Sequence, residues 1–511
     1  MKNNIYKSLF ILLLAGGVNI TFNSCGEDFL ETEYKGAFPV DTYFKDDRQC
    51  YSAVVATYDG LKKYASGFEN MITFFNAGSD DFYSGGGSAT DGAGIQGFNN
   101  YSIDPIKMPR SYWKDFYVAI ANANIVIEKV PEAPISDVSK NRYVAEAKAL
   151  RSLYYFELVR MFGNVPLILK PIQVTDDYYN IPQANPKDVY AQIEADLVDA
   201  IPNLPVTVSG DEKGRLSQGS AKALLGKIYL YDKKNDLAAA QFADVNGNPG
   251  QTNQYGYKLV ADYNSLWITD NKFTSEGVFE VMYTNKSESG WDNWGWGNDE
   301  GNSVNIMVAP RSYSINTNYP GTNDAPDIVA GWSFDTVTES LFNFMQGDPR
   351  ANATILNMKS LKDQNKASYG PANLDTGYFL NKYMPTKDEV TTGQGASELN
   401  YRQNYIMIRL ADTYLMEAEA LGGTGARAQI LLDAVRARVG LASVPVSMQA
   451  IKDERRRELA GEGHRWFDLV RWGDAPTALA NKGFITGKNE ILPIPYEELT
   501  NTAIKQNPGY N

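Results

Sequence analysis

The sequence predicts a mostly α-helical fold of tetratricopeptide-like helix pairs carrying an irregular region rich in loops and short strands. Three observations predict it. Apolar residues recur at helical spacing in eight stretches. Two of these stretches alternate small and large residues as tetratricopeptide-like hairpins do: Ala221, Leu225, Gly226, Tyr229, and Ala411, Tyr414, Ala418. Between 244 and 404 the texture changes to Gly, Asn, Pro and aromatic residues, with short β-like runs such as "GVFEVMYT" (277–284). At 511 residues, 43% of them hydrophobic, the chain can bury a large core, and its composition is not that of a disordered chain.

Taken in order, "MKNNIYKSLFILLLAGGVNITFNSC" has a basic start (Lys2, Lys7), a short apolar run and then a cysteine. The run is shorter than the ~20 residues a bilayer span requires, so residues 1–24 read as a secretory signal. Cys25 reads as an acylated lipoprotein N-terminus, with 25–40 as its tether. The alternative is ordinary signal cleavage with Cys25 paired to Cys50. These two cysteines exclude a disulfide framework and a cysteine zinc site. Cys50 itself falls in a helical pattern and is expected to be a small buried hydrophobe.

Helices are expected over 50–64, 112–130, 141–163, 186–204 and 217–243, making 41–243 an N-terminal helical region. The pattern returns at 405–423, 426–440 and 448–472, giving a C-terminal helical region over 405–511. Gly163, Gly440 and Gly473 fit helix stops, and Pro186 fits a helix start. No clean 34-residue period is present, which indicates helix pairs stacked on each other and not an open array. The region 244–404 is the expected ligand-facing part, because long irregular insertions on rigid scaffolds tend to carry binding function.

"AEAKALRSLYYFELVRMFGNVPLI" (145–168) resembles a signature of the SusD/RagB family of Bacteroidetes surface nutrient-binding lipoproteins. "YWKDFYVAIANANIVIE", "GRLSQGSAKALLGKIYLY", "YIMIRLADTYLMEAEA", "ERRRELAGEGHRWFDLVRWG" and "ILPIPYEEL" agree with that family in order and spacing. The resemblance implies four tetratricopeptide-type helix pairs and a more irregular ligand-facing part. It implies outer-membrane attachment through lipid on Cys25 and partnership with a SusC-like TonB-dependent porin. It implies capture of oligosaccharide or polysaccharide without cleavage, peptide capture being the alternative within the family and glycoside hydrolysis a rival outside it. In glycan binders of this family the aromatic arc comes from two regions, here 76–101 and the middle of the chain.

"WDNWGWGND" (291–299) gathers three of the chain's eight tryptophans among turn-forming residues. Indoles stack on the C–H face of a sugar while polar groups bond its hydroxyl rim, so Trp291, Trp294 and Trp296 are candidate stacking residues. Asp80, Asp81, Tyr83, Asn99 and Tyr101 from the first loop, with Arg311 and Tyr313 from the second, are candidate polar partners. The competing reading makes the indoles a loop plug or a porin contact.

Other motifs carry less. "GAGIQG" (92–97) satisfies a dinucleotide pattern, but neither a strand before it nor a helix after it is expected. "DVNGNPG" (244–250) resembles a calcium loop through Asp244, Asn246 and Asn248, but Pro249 replaces the turn glycine and Tyr255 stands at the bidentate position. No cofactor is expected; a structural calcium is left open because oxygen ligands from distant loops leave no spacing signature. His464 is the sole histidine, which excludes a multi-histidine metal site, and is expected to be structural. "DERRRE" (453–458) reads as an ion-paired helix. The net charge of −13 excludes a general nucleic-acid binder.

Overall fold

The computed structural model describes residues 43–173, 176–294 and 299–510. The expected signal, Cys25, the tether and Trp296 lie outside the described residues. From Asp46 onward the chain is one unit. In this unit, α1 (Asp47–Tyr58) starts where the Asp46 carboxylate accepts the Gln49 N–H at 2.8 Å. Two short helices, α2 (Met71–Ala77) and α3 (Ala93–Asn99), flank strand β1 (Phe82–Gly85). There follow α4 (Ser111–Lys129), α5 (Asp137–Phe162), α6 (Pro186–Ala200), α7 (Gln218–Tyr231) and α8 (Asn235–Asn246). Pro186 is the first residue of α6, where its missing N–H costs nothing. Gly163 and Gly473 end their helices at φ of 69° and 77°, a conformation that side chains resist.

The helices pack as linked pairs: α1 on α4, α5 on α6, and α7 on α8, with α4–α5 and α6–α7 contacts joining one pair to the next. The small-and-large alternation has a direct physical meaning in α7. A Cβ at Gly226 would lie 2.8 Å from the Phe242 ring, so only glycine lets α8 approach this closely. The next pair is α10 (Leu410–Ala420) with α11 (Gly425–Arg438), and α10 also packs directly on α8. Asn246 Nδ2 donates to Thr413 O at 3.0 Å and to Glu417 Oε2 at 2.7 Å, which stitches α8 to α10 across the whole insertion. This makes Asn246 a buried helix-terminal residue and not a calcium ligand. Among the described residues no His/Cys/Asp/Glu cluster is arranged to hold a metal.

Three helical expectations are corrected. Residues 217–243 form two helices, because Lys233 takes a left-handed φ of 62° between them. Residues Tyr405–Arg409 are not helical but strand β6, paired antiparallel with β2 (Gly277–Val281); Tyr405, Ile406 and Ile408, aromatic or β-branched, suit a buried strand. Residues 448–472 divide into α12 (Met448–Glu458) and α13 (Arg465–Trp472), parted by Gly461 and Gly463 at positive φ. A fourth correction concerns "GAGIQG", which is itself helical as part of α3, with β1 upstream; at seven residues the helix still lacks the dinucleotide context. Cys50 is a fully buried free thiol, as expected. Among the described residues no helix is long and apolar enough to cross a membrane.

Besides β2, the insertion contributes α9 (Val304–Val308) and the strands β3 (Phe334–Val337), β4 (Ile355–Asn357) and β5 (Tyr378–Leu380). Together with β1 they form a four-stranded antiparallel sheet in the order β1-β3-β5-β4. This sheet joins β1, from the 76–101 segment, to strands of the insertion.

Candidate functional site

The site grows from the β1–β3 pairing, in which Phe82 faces Val337, Tyr83 faces Thr336 and Gly85 faces Phe334. Gly85 has φ 65°, and a Cβ there would sit 2.1 Å from Ser333 O. Only glycine permits that approach. Just before β3, Trp332 is pinned by its own backbone: its N–H donates to Ile306 O at 2.9 Å, and its carbonyl accepts from Arg311 Nη1 at 3.2 Å. Ser333 and Asp335 both adopt left-handed φ (59° and 52°), a strained state for non-glycine residues. Asn76 Nδ2 holds Asp335 Oδ2 at 3.1 Å, and burial pushes the Asp335 carboxyl well above the usual carboxylate range.

Trp332 meets two of the clustered tryptophans. Its ring centroid lies 5.9 Å from Trp291 at a 37° tilt and 5.6 Å from Trp294 at 74°. Trp291 and Trp294 are 5.8 Å apart, edge to face. Trp291 is 56% exposed, and its Nε1–H donates to Glu398 Oε1 at 2.8 Å, so the exposed indole is oriented. That hydrogen bond holds the Glu398 carboxyl below the usual glutamate range. Trp294 is half-buried, with its Nε1 enclosed and without a partner among the described residues. Beneath it Phe68 makes edge contacts with Trp294 (6.2 Å), Phe334 (5.3 Å) and Phe74 (6.3 Å), running from the platform into the core.

The base is fixed from the other end of the chain. Lys482 Nζ donates to Ala77 O, Ser79 O and Phe82 O, each at 2.6 Å. Arg465 grips Asp80 with two bonds of 2.8 Å, and Arg456 Nε bonds Asp81 Oδ1 at 2.7 Å. Below these lies a fully buried ionic cluster. Arg409 bonds Glu276, Glu458 and Glu462, Arg350 bonds Asp348, Glu454 and Glu458, and Lys382 bonds Glu462 at 2.7 Å. The "DERRRE" helix is ion-paired as expected, and much of it is buried.

The expected polar partners therefore divide. Asp80 and Asp81 are corrected to clamps: their carboxylates are taken by Arg465 and Arg456, and Asp81 is buried. Asn99 is buried and accepts the Ser84 N–H at 3.2 Å, and Tyr101 is buried with its hydroxyl donating to Gly78 O. Both are spent on internal bonds because the 76–101 segment folds into α2, β1 and α3 instead of a free loop. Tyr83 lies half-buried on β1 with Lys482 Nζ 5.7 Å from its ring. Tyr313 sits in a separate small cluster with Met358 and Phe379, its hydroxyl bonded to Pro326 O at 2.6 Å. Arg311 is beside Trp332, with Asp91 3.9 Å away. The structure thus groups Trp291, Trp294 and Arg311 and adds two residues that sequence reasoning missed, Trp332 and Glu398. Trp332 carried the same signal as its partners, an indole beside glycine and serine in "AGWSF"; Glu398 carried none among 61 acidic residues.

His464 is buried among Lys227, Asp412, Glu462 and Arg455, and burial drives its ring down to about 4, keeping it neutral.

Comparison with known proteins follows this geometry. A model described as the SusD family matches residues 242–489, and one described as starch-binding associating with outer membrane matches 51–230. SusD-like protein P25 of Formosa agariphila is 26% identical, over 93% of this chain and 94% of that protein. A solved laminarin binding SusD-like protein is 58% identical and covers 91% of this chain and 100% of its own, with a TM-score of 0.89. Surface glycan-binding protein A from Bacteroides thetaiotaomicron in complex with laminarihexaose is 26% identical, with a TM-score of 0.78 over 90% of this chain and 99% of that one.

Proposed function

Since this chain belongs to the SusD family, we propose that it captures a laminarin-type β-1,3-glucan on the Trp291–Trp294–Trp332 platform without cleaving it. The captured chain passes to a SusC-like TonB-dependent transporter in the outer membrane, with acylated Cys25 as the anchor at the cell surface.

The observation that carries this reading is the three-indole cluster on a rigid base. Trp291 offers an exposed face oriented by Glu398, and Trp332 presents a second indole at 37° to it. A β-1,3 linkage turns successive glucose rings, so a curved chain meets two splayed planes. A flat β-1,4 ribbon would need coplanar ones. Arg311 lies beside Trp332, with Asp91 3.9 Å from its guanidinium, where hydroxyls of a stacked ring would reach Arg311. The base is pre-organised, which limits the ordering cost of binding.

Calorimetry with laminarihexaose and cellohexaose tests the proposal. Laminarihexaose binds and cellohexaose does not; equal binding of both would remove the curvature argument, and binding of peptides alone would overturn the reading. Incubation with laminarin releases no new reducing ends.

A further inference from the structure

A cavity of about 200 Å³ lies between the start of α7 and the segments 207–217, 255–257 and 273–280, and it shares no residue with the tryptophan platform. Three features of its lining are built for a ligand. Phe273 takes a left-handed φ of 54°, a strained backbone for an aromatic residue. Glu280 enforces it: its Oε2 accepts the Phe273 N–H at 2.9 Å and Asn404 Nδ2 at 3.1 Å. The remaining Glu280 oxygen, Oε1, packs against Gly277 and, like Thr274 Oγ1, is buried without a hydrogen-bond partner among the described residues. Buried polar atoms are rarely left unpaired. Burial raises the Glu280 carboxyl above the ordinary range, which favours its neutral form. Opposite them, Lys213 Nζ stands 5.9 Å from the Phe273 ring and makes no ion pair among the described residues. Tyr255 and Tyr257 form an aromatic wall, with centroids 6.0 Å apart.

The lining selects the ligand's chemistry. Lys213 opposes a cation, while the neighbouring Arg215 is held by Glu146 and Glu212. An apolar wall, a free hydroxyl, a free acceptor and a free donor suit a ring that carries several hydroxyls. The volume falls below the roughly 300–1,000 Å³ of sites for larger ligands. We propose that this cavity is a second carbohydrate site that takes a single pyranose ring, stacked by Phe273 and bonded by Lys213, Thr274 and Glu280. The inference stands whether or not the tryptophans bind glucan.

Saturation-transfer NMR with D-glucose tests it on the mature protein carrying Trp291→Ala and Trp332→Ala, which silences the platform. Transfer to the sugar persists in that background and falls at least fivefold with Phe273→Ala. Because Phe273→Ala can perturb the loop, Thr274→Val serves as a near-isosteric second variant and also weakens transfer, with an unchanged melting midpoint. Absence of transfer in the platform-silenced protein, or transfer indifferent to both cavity variants, overturns the proposal. Failure of the platform reading is seen separately, as laminarin binding that survives the two tryptophan changes.

Discussion

Trp291 and Trp332 stand with ring centroids 5.9 Å apart and planes tilted by 37°, one exposed on a turn of the insertion and the other at the entrance to β3. Neither indole alone spans two sugar units, so each carries a large share of affinity. Trp332→Ala and Trp291→Ala are each expected to weaken laminarin binding by about 2 kcal/mol or more, roughly thirtyfold. Calorimetry reads the loss, and unchanged melting curves separate it from unfolding. Retained affinity in both variants would make the cluster a plug.

The Trp291–Glu398 bond predicts a pH signature. Trp291 holds the Glu398 carboxyl below its ordinary value of 4.5, so the bond is intact above that value and is lost only as pH falls through the lowered one. Glucan affinity therefore stays level from neutral pH down through 4.5 and declines below it. Glu398→Ala is expected to weaken binding already at pH 7, which titration calorimetry across this range can check.

Glu458 receives Arg350, Arg409 and Arg438 with no exposure to solvent. Glu458→Gln leaves three guanidinium groups with less compensating charge in a buried site. Removing one member of such a cluster costs about 3–5 kcal/mol. Denaturant unfolding should show the loss, and a change under about 1 kcal/mol would mean that water reaches the cluster.

His464, the only histidine, gives the acid limb of stability one contributor that can be isolated by substitution. Its folded value near 4 lies below the ordinary 6.5, so the unfolded chain binds a proton that the folded one refuses between those values. Stability attributable to it is complete above pH 6.5 and declines toward pH 4, by about 3 kcal/mol. His464→Gln should flatten that part of the stability profile relative to the native protein. NMR of the lone imidazole checks the titration directly.

Much of the scaffold was legible because its signals are local. Helical spacing found α4, α5 and α6, and Pro186 and Gly163 marked ends that depend only on neighbouring backbone. The strand β6 was misread because "YIMIRL" is apolar on both faces, and periodicity does not distinguish a buried strand from a buried helix. The indoles at 291 and 294 were legible because turn residues flank them. Asp80 and Asp81 looked like rim groups for want of any local trace of Arg465 and Arg456, which reach them from the far end of the chain. Trp332 carried the same local signal, an indole beside glycine and serine, but its meeting with Trp291 and Trp294 leaves no pattern in either segment.

The three-carbonyl grip of Lys482 on residues 77–82, with Arg456 and Arg465 beside it, also bears on biosynthesis. The chain emerges N-terminus first, yet the side chains that fix β1 and the turn before it follow their partners by 375 to 405 residues. A nascent chain that has made only its early helices therefore lacks the side chains that tie β1 down. The seating of β1 thus waits on residues made long after it.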